Sequence, residues 1–180
     1  MVNILFRLLT LALLSLPAAA LPRPVPQVDL ARYSGQWFEI ARIPNTFQKA
    51  CTGDVRAEYR PVGTDSILIT NSCRKAGGET HRLKARARLQ DASGARWLVR
   101  PENRWLSLVP LLKADYWVVD LAEDYSHAAV SMAGTDYLWI LSRKPALDEA
   151  VYRQILQRAA RQGFPVEKVR RTPVSAAAPS

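Results

Sequence analysis

Apolar and polar residues alternate along much of the chain with the two-residue period of β-strands. Between residues 82 and 89, every second residue is apolar and the residues between them are basic. This period places the apolar side chains on one face of a strand and the basic ones on a solvated face. Similar segments, separated by turn-forming residues, predict eight strands: residues 37–43, 54–60, 66–70, 82–89, 96–100, 116–121, 128–132 and 137–141.

The hydrophobic period becomes that of a helix between residues 148 and 162. One helical face carries the apolar residues Val151, Ile155, Leu156 and Ala159. Gly163 is suited to end this helix because glycine readily adopts the left-handed conformation found after helix ends. Residues 166–169 predict a short ninth strand, and residues 173–180, which are mostly alanine, proline and serine, are expected to form a disordered tail.

Eight consecutive antiparallel strands followed by one helix close most economically as a barrel, because closure removes the exposed edges of the sheet. We therefore predict an all-β fold: an eight-stranded antiparallel up-and-down β-barrel with one C-terminal α-helix packed outside. The length of 180 residues and a hydrophobic content of 48% suit a single domain with a real core and argue against general disorder.

The first twenty residues resemble a secretory signal peptide. Arg7 precedes an apolar run over residues 8–16, which is followed by Pro17 and three alanines. A membrane anchor is the alternative, but the run is shorter than the ~20 apolar residues that cross a bilayer. We expect residues 1–20 to be removed and residues 21–28 to form an N-terminal linker. No cysteine lies near the cleavage site. If the source is bacterial, a periplasmic or secreted protein without a lipid anchor is expected.

The chain contains two cysteines, Cys51 and Cys73. In an oxidising compartment such a pair usually forms a disulfide. A hairpin centred near Gly63 would place Cys73 opposite a residue near 53, within two residues of Cys51, so we expect a structural Cys51–Cys73 bridge. A free nucleophilic or metal-binding cysteine is the alternative.

The formal net charge of +9 raises the question of an anionic partner. The basic residues alternate along strands instead of clustering with stacking aromatic residues, so a nucleic-acid interface is not expected. The net positive charge instead favours peripheral contact with an anionic membrane.

Gly35 and Trp37 stand in a G-x-W spacing within residues 35–42, and Thr135, Asp136 and Tyr137 form a T-D-Y motif within residues 134–143. Residues 114–121 contain the predicted strand that precedes this motif. Together, these three segments resemble signatures of the lipocalin family, in the branch of the bacterial lipocalins and apolipoprotein D.

The resemblance covers a domain over residues 29–172. It implies that Trp37 closes one end of the barrel and that Arg171 packs on it, with Arg170 as the alternative.

Inward-facing residues of an eight-stranded barrel would line a cavity for one small ligand. For Glu39, a hydrogen-bonded or solvated place near the mouth is the alternative to orienting the ligand, and Trp117 and Trp139 could equally be core residues. The candidate ligand-binding residues are Glu39, Val55, Ala57, Tyr59, Ile69, Ala85, Trp97, Trp117, Val119, Tyr137 and Trp139.

We therefore expect a lipid-binding protein that holds a fatty acid, a lysophospholipid or a similar amphiphile, for lipid transport, storage or membrane maintenance in the cell envelope. An enzyme or isomerase acting on a bound lipophilic substrate is the alternative. His81 and His127 have no metal-ligand spacing, and no nucleophile or nucleotide motif is present. No catalytic residue, metal or cofactor is expected, and both a monomer and a homodimer remain open.

Overall fold

A computed structural model describes residues 22–102 and 113–175. The expected signal peptide and the expected tail beyond Ser175 lie outside these ranges. The strands are β1 Gly35–Arg42, β2 Cys51–Val62, β3 Ser66–Lys75, β4 Thr80–Leu89, β5 Arg96–Pro101, β6 Ala114–Leu121, β7 His127–Met132, β8 Trp139–Ser142 and β9 Arg170–Arg171. The helices are α1 Leu30–Tyr33 and α2 Glu149–Arg161, followed by a 3₁₀ turn at Val166–Lys168.

Strands β1 to β8 form a closed antiparallel barrel. Each strand from β2 to β7 pairs with the next one in the chain, and β1 pairs with β8 on one side and with β2 on the other. In the β1–β2 pair, Trp37 lies opposite Ala57 and Gly35 opposite Tyr59. The predicted eight-stranded up-and-down barrel is therefore confirmed. In the described ranges, no helix is long and apolar enough to cross a membrane.

The hairpin of β2 and β3 carries the disulfide. Cys51 and Cys73 are bonded, with their Cα atoms 5.6 Å apart. The turn between the strands contains Gly63 with φ +72°, a conformation that side chains disfavour. The predicted disulfide is thus confirmed at the predicted hairpin.

Helix α2 covers the outside of the barrel. The Asp148 side chain caps it by accepting hydrogen bonds from the backbone N–H groups of Ala150 and Val151. On its inner face, buried Ile155 and Ala159 pack in a second core that also contains residues of β1, β6 and β8. Arg158 donates to both carboxylate oxygens of Asp120 at 2.7–3.1 Å, which fixes the helix to β6. The predicted position of this helix outside the barrel is confirmed.

The segment after α2 differs from the prediction. Residues 166–168 form the 3₁₀ turn instead of a strand, and the ninth strand is Arg170–Arg171, which pairs with Ala41 and Arg42 of β1. The backbone N–H of Asp54 on β2 donates to the carbonyl of Pro173 at 2.9 Å. The Asp54 carboxylate accepts hydrogen bonds from the backbone and hydroxyl of Ser175, each at 2.6 Å.

Residues 170–175, called the closing strap below, thus join β1 to β2. Direct pairing of these two strands is confined to residues 35–38 of β1. The expectation of disorder from residue 173 onwards is therefore wrong for residues 173–175, because β2 supplies hydrogen-bond partners for their backbone.

Candidate ligand-binding cavity

The barrel encloses a cavity of about 380 Å³. This volume lies within the range of small-molecule sites in proteins. Apolar side chains from most of the strands form its wall. They include Val55, Ala57, Ile69, Leu83, Ala85, Val99, Val130, Met132, Trp139 and Leu141. The alanines leave room between opposite walls, and the cavity can hold one small lipophilic guest.

Five aromatic rings form and close the floor of the cavity. Trp37 and Trp97 are fully buried beneath it. The Trp97 ring stacks on Tyr116 with a centroid distance of 4.7 Å and an interplanar angle of 12°. Tyr33, from α1, packs against Trp37, Tyr59 and Trp97. Aromatic packing of this density prevents passage through the closed end.

Arg143, which follows β8, is the basic residue that packs on Trp37. Its guanidinium lies 3.9 Å from the ring centroid and donates hydrogen bonds to the carbonyls of Gln36 and Arg32 at 2.9 and 2.6 Å. The predictions of Arg171 or Arg170 at this position are wrong. Both belong to β9, which pairs with β1 beyond Trp37 towards the mouth.

Arg171 instead lies 3.4 Å from the ring centroid of Tyr152 and forms an ion pair with Glu149 on α2.

Three tyrosine hydroxyls meet at the floor. The Tyr116 oxygen lies 2.8 Å from that of Tyr59 and 3.2 Å from that of Tyr33. Burial raises the pKa of Tyr59 to about 12, and it also raises the pKa values of Tyr33 and Tyr116 well above the ordinary tyrosine value. All three hydroxyls therefore stay protonated at neutral pH and act as hydrogen-bond donors.

Glu39 lines the cavity and is only 3% exposed. Its carboxylate accepts hydrogen bonds from Gln48 and Thr172, both at 2.5 Å, and forms an ion pair with Arg42. A buried carboxylate needs such partners because its desolvation is costly. The Gln48 side-chain oxygen also accepts from the Trp139 indole at 2.7 Å. This network holds the β1–β2 loop and the closing strap against the cavity wall.

The rim of the cavity is basic. Arg56, Lys84, Arg100 and Lys113 are among the residues that border it. Strand alternation directs Lys84 and Arg100 to the outer surface, since their neighbours Ala85 and Val99 face inwards. Within the described ranges, Glu39 is the only acidic residue of the lining, and its charge is already paired. Positive charge therefore surrounds the mouth without entering the apolar interior.

The structure brings seven of the eleven candidate ligand-binding residues together along the cavity: Glu39, Val55, Ala57, Tyr59, Ile69, Ala85 and Trp139. Trp97 lies beneath the floor, where its indole donates to the Gly94 carbonyl at 2.7 Å. Tyr137 precedes β8, stacks on Trp139 and contacts Phe47 of the β1–β2 loop. Neither lines the cavity.

The inward assignment of Trp117 and Val119 is wrong. Both pack in the outer core under α2, whereas Tyr116 and Val118 of the same strand belong to the inner core. Because α2 covers β6, both faces of this strand are apolar, and alternation does not distinguish them. A register shift between Val118 and Asp120 further disturbs the pattern.

The sequence analysis missed several residues of the site. Tyr116 shares a strand face with Val118 and could have been identified by alternation, but the larger apolar residue Trp117 was assigned to the cavity instead. Gln48 lies in a loop and carries no periodic signal. Tyr33 belongs to α1, whose start is marked by the capping Asp29.

Among the motif residues, Gly35 begins β1 with φ +91°. Thr135 and Asp136 lie in the connection between β7 and β8.

In the described part of the chain, no three His, Cys, Asp or Glu side chains converge in a way that could hold a metal ion. His81 borders the cavity, and His127 contacts the Ser126 hydroxyl at 3.0 Å.

Known proteins resemble this chain in sequence and in fold. The family model for the Lipocalin-like domain matches residues 28–174. Temperature-induced lipocalin-1 of Arabidopsis thaliana is 35% identical over 156 residues, which cover 84% of this chain and 82% of that protein. Outer membrane lipoprotein Blc of Escherichia coli K12 is 32% identical over 157 residues, with 82% and 81% covered. Mouse apolipoprotein D is 28% identical over 153 residues, with 80% and 76% covered.

Solved structures agree with the fold. Insecticyanin from the tobacco hornworm Manduca sexta superimposes with a TM-score of 0.65 at 19% identity, covering 89% of this chain and 87% of that one. Lobster apocrustacyanin A1 gives a TM-score of 0.63 at 17% identity, with 91% and 95% covered. The chain therefore belongs to the lipocalin family, with relatives among the Blc lipocalins and apolipoprotein D, and this membership supports a protein that binds a lipophilic ligand in its calyx.

Proposed function

We propose that this protein binds a fatty acid, a lysophospholipid or a similar single-chain amphiphile, and serves lipid transport, storage or membrane maintenance in the cell envelope. The observation that carries the proposal is the closed barrel with a 380 Å³ apolar cavity, an aromatic floor and a basic mouth. One acyl chain fits this combination because its tail is apolar along its length and its head is polar at one end.

The tail would lie along the cavity wall. Burial of one methylene contributes ~0.8 kcal/mol, so ten would contribute ~8 kcal/mol before ordering costs are subtracted. Trp139 offers a large flat surface for this tail, and its hydrogen bond to Gln48 keeps the ring in place. Micromolar or tighter binding is physically reasonable for such a ligand.

The head would lie at the mouth among basic residues. An anionic or zwitterionic head interacts favourably with the positive charge around the rim, and it keeps its own hydration there. A carboxylate deep in the barrel would lose that hydration. We therefore infer that the head points outwards.

We propose a ligand-binding function for this protein in preference to an enzymatic one. The relatives carry the names of lipocalins and lipoproteins, and at the family level these are binding proteins. Both cysteines are joined in the disulfide, so neither supplies a thiolate nucleophile to a bound lipid.

A disulfide suits an exported protein. The Escherichia coli relative is named an outer membrane lipoprotein. Export of this chain without an N-terminal lipid stays a prediction. The intact mass of the protein purified from cell envelopes should match the chain without residues 1–20 and without an attached lipid.

Tryptophan fluorescence during titration with a fatty acid or lysophosphatidylcholine tests the proposal. We expect one ligand per chain and a change in emission that is reduced in Trp139→Phe. The matched control is Trp117→Phe, because Trp117 packs under α2 and does not line the cavity. Native mass spectrometry of the purified protein should show an acyl lipid bound at one per chain.

Trp139→Asp would place a charge beside the tail and should weaken binding at least about tenfold. If the folded Trp139→Asp variant bound these lipids as tightly as the parent protein, the tail would not pass Trp139. An empty barrel that bound no single-chain lipid would contradict the proposed function itself.

A further inference from the structure

The three hydroxyls at the cavity floor have more hydrogen atoms to donate than they have hydrogen bonds between them. Tyr33, Tyr59 and Tyr116 carry one O–H each. Two pairs of these hydroxyls form hydrogen bonds, with oxygen–oxygen distances of 2.8 and 3.2 Å, and Tyr116 belongs to both pairs. In the described residues, no other polar atom is a hydrogen-bond partner of these oxygens. Two contacts use two hydrogens, so one hydrogen is left without an acceptor.

The unmatched hydrogen reaches the cavity when Tyr33 donates to Tyr116. This direction is favoured, because the reverse one would leave the hydrogen on buried Tyr33 without an acceptor. Tyr59 and Tyr116 line the cavity, whereas Tyr33 lies beneath it. If Tyr33 donates to Tyr116, either Tyr116 or Tyr59 keeps the free hydrogen, and both can present it to a guest. In the lipid-free barrel, water can accept this hydrogen bond. A tail that fills the cavity displaces the water and leaves the donor unsatisfied unless the tail itself carries an acceptor.

The acceptor that fits this position is uncharged. Within the described residues, no cationic side chain joins the three hydroxyls at the floor, and Arg143 is directed to the backbone carbonyls of Gln36 and Arg32. A carboxylate there would lose hydration without gaining a counter-ion. A hydroxyl or carbonyl oxygen would gain a hydrogen bond at a small desolvation cost.

We propose that the cavity floor is a polar subsite, formed by Tyr59 and Tyr116, that selects amphiphiles with an uncharged oxygen at the far end of the tail. An ω-hydroxy or ω-oxo fatty acid is the class of ligand that matches. This inference rests on the proposed function, since it assumes that the head lies at the mouth and the tail points to the floor. It adds recognition of the tail end, which a uniformly apolar cavity would not provide.

A pair of ligands of equal size tests the subsite. In 16-hydroxyhexadecanoic acid, a hydroxyl replaces the terminal methyl group of heptadecanoic acid. On an apolar floor, the buried hydroxyl would weaken binding by about 10- to 100-fold. We expect the parent protein to bind the hydroxy acid at least as tightly as heptadecanoic acid, as measured by displacement of a fluorescent fatty acid. Shorter pairs of the same design identify the length at which the tail reaches the floor.

Substitutions at the floor should remove this selectivity in a defined order. Tyr59→Phe leaves two hydroxyls that share one contact, so one free hydrogen remains and the preference should persist. The double variant Tyr59→Phe/Tyr116→Phe removes both cavity-facing donors. It should bind the hydroxy acid about 10- to 100-fold more weakly than heptadecanoic acid. Tyr152→Phe is the matched control, because Tyr152 belongs to the outer core, and it should leave both affinities unchanged.

The outcomes separate this inference from the proposed function. If the parent protein binds the methyl-ended acids but discriminates against the hydroxy acids at every length, the subsite is refuted and tail binding stands. If the double variant weakens both ligands equally, the two hydroxyls do not distinguish the tail ends and the inference is again refuted. If neither acid binds the parent protein, the proposed function fails. Should the double variant not fold, the comparison on the parent protein decides.

Discussion

Arg143 shows how one side chain can secure the closed end of the barrel. Its guanidinium covers the Trp37 ring and bonds to backbone carbonyls of both α1 and β1. Trp37 in turn donates from its indole to the Tyr33 carbonyl at 2.9 Å, which joins α1 to the floor. The planar, permanently charged arginine side chain can make a stacking contact and several hydrogen bonds together.

The Arg143→Met substitution should lower the free energy of unfolding by about 2–4 kcal/mol. It removes charged hydrogen bonds to the backbone together with the cation–π contact. Urea unfolding followed by circular dichroism measures the effect, and lipid affinity of the folded fraction should stay close to that of the parent protein.

Arg171→Met provides the comparison at the residue that sequence reasoning had placed on Trp37. Its ion pair with Glu149 is solvent-exposed, so we expect a loss of about 1 kcal/mol or less. A larger loss for Arg171→Met than for Arg143→Met would contradict the assignment of Arg143 to the closed end.

At the level of secondary-structure elements, the closing strap completes the seam between β1 and β2. Thr172 bonds to Glu39 of β1, and Ser175 bonds to Asp54 of β2. Hydrogen bonds from Ser175 and the Arg74 side chain lower the pKa of the Asp54 carboxyl to about 2. The hydrogen bonds of Ser175 in the strap to β2 therefore depend on an ionised carboxylate, whereas the backbone hydrogen bond of Asp54 to Pro173 does not.

Stability should fall in acid as this carboxylate becomes protonated. The folded-state pKa of about 2 lies below the unfolded value of ~3.9, so the contribution of Asp54 is present above about pH 4 and is lost as the pH falls towards 2. Urea unfolding between these pH values should show the difference in stability between the parent protein and Asp54→Asn shrinking with decreasing pH.

Gly53→Ala supplies a control that does not titrate. A Cβ atom at Gly53 would lie 2.5 Å from the Pro173 carbonyl oxygen, so alanine should displace the strap at every pH. A destabilisation by Asp54→Asn that stayed constant down to pH 2 would show that the carboxylate charge does not hold the strap.

Alternation of apolar and polar residues predicted the inward-facing side chains where one face of a strand is exposed to solvent. It failed where both faces are buried. Alternation identified β4, because Arg86 and Arg88 flank buried Ala87. The same rule could not orient β6. Because α2 covers the outer side of this strand, both faces carry large aromatic residues, Tyr116 inside and Trp117 outside. The closing strap lacks a periodic pattern altogether. It is ordered by distant partners such as Asp54, which the local sequence does not reveal.

At the scale of the whole molecule, positive charge accumulates on the outer face of β4 and β5. Arg86 and Arg100 lie directly opposite each other in the pair of strands. Like charges in this arrangement repel each other, and an anionic surface would relieve the repulsion. Contact with an anionic membrane, predicted from the net charge, therefore has a defined candidate surface.

Binding to vesicles should depend on this surface and on salt. We expect tighter binding to phosphatidylglycerol vesicles than to phosphatidylcholine vesicles, and weaker binding when salt is raised from about 0.05 to about 0.5 M. Arg86→Ser/Arg100→Ser should reduce binding in a flotation assay. Arg153→Ser/Arg161→Ser removes the same charge from the exposed side of α2, and an equal loss with that variant would indicate attraction by net charge alone.

The division of β1 between two partners has a consequence for folding. Its first half pairs with β2, but Ala41 pairs with Arg171, which lies 130 residues further along the chain. Contacts of such long range form slowly because a large loop must be ordered first. Before the closing strap has formed its hydrogen bonds to β1 and β2, these strands expose unpaired backbone groups to other molecules. We therefore expect two folding copies to be able to exchange strands for as long as the closing strap has not yet paired with β1 and β2.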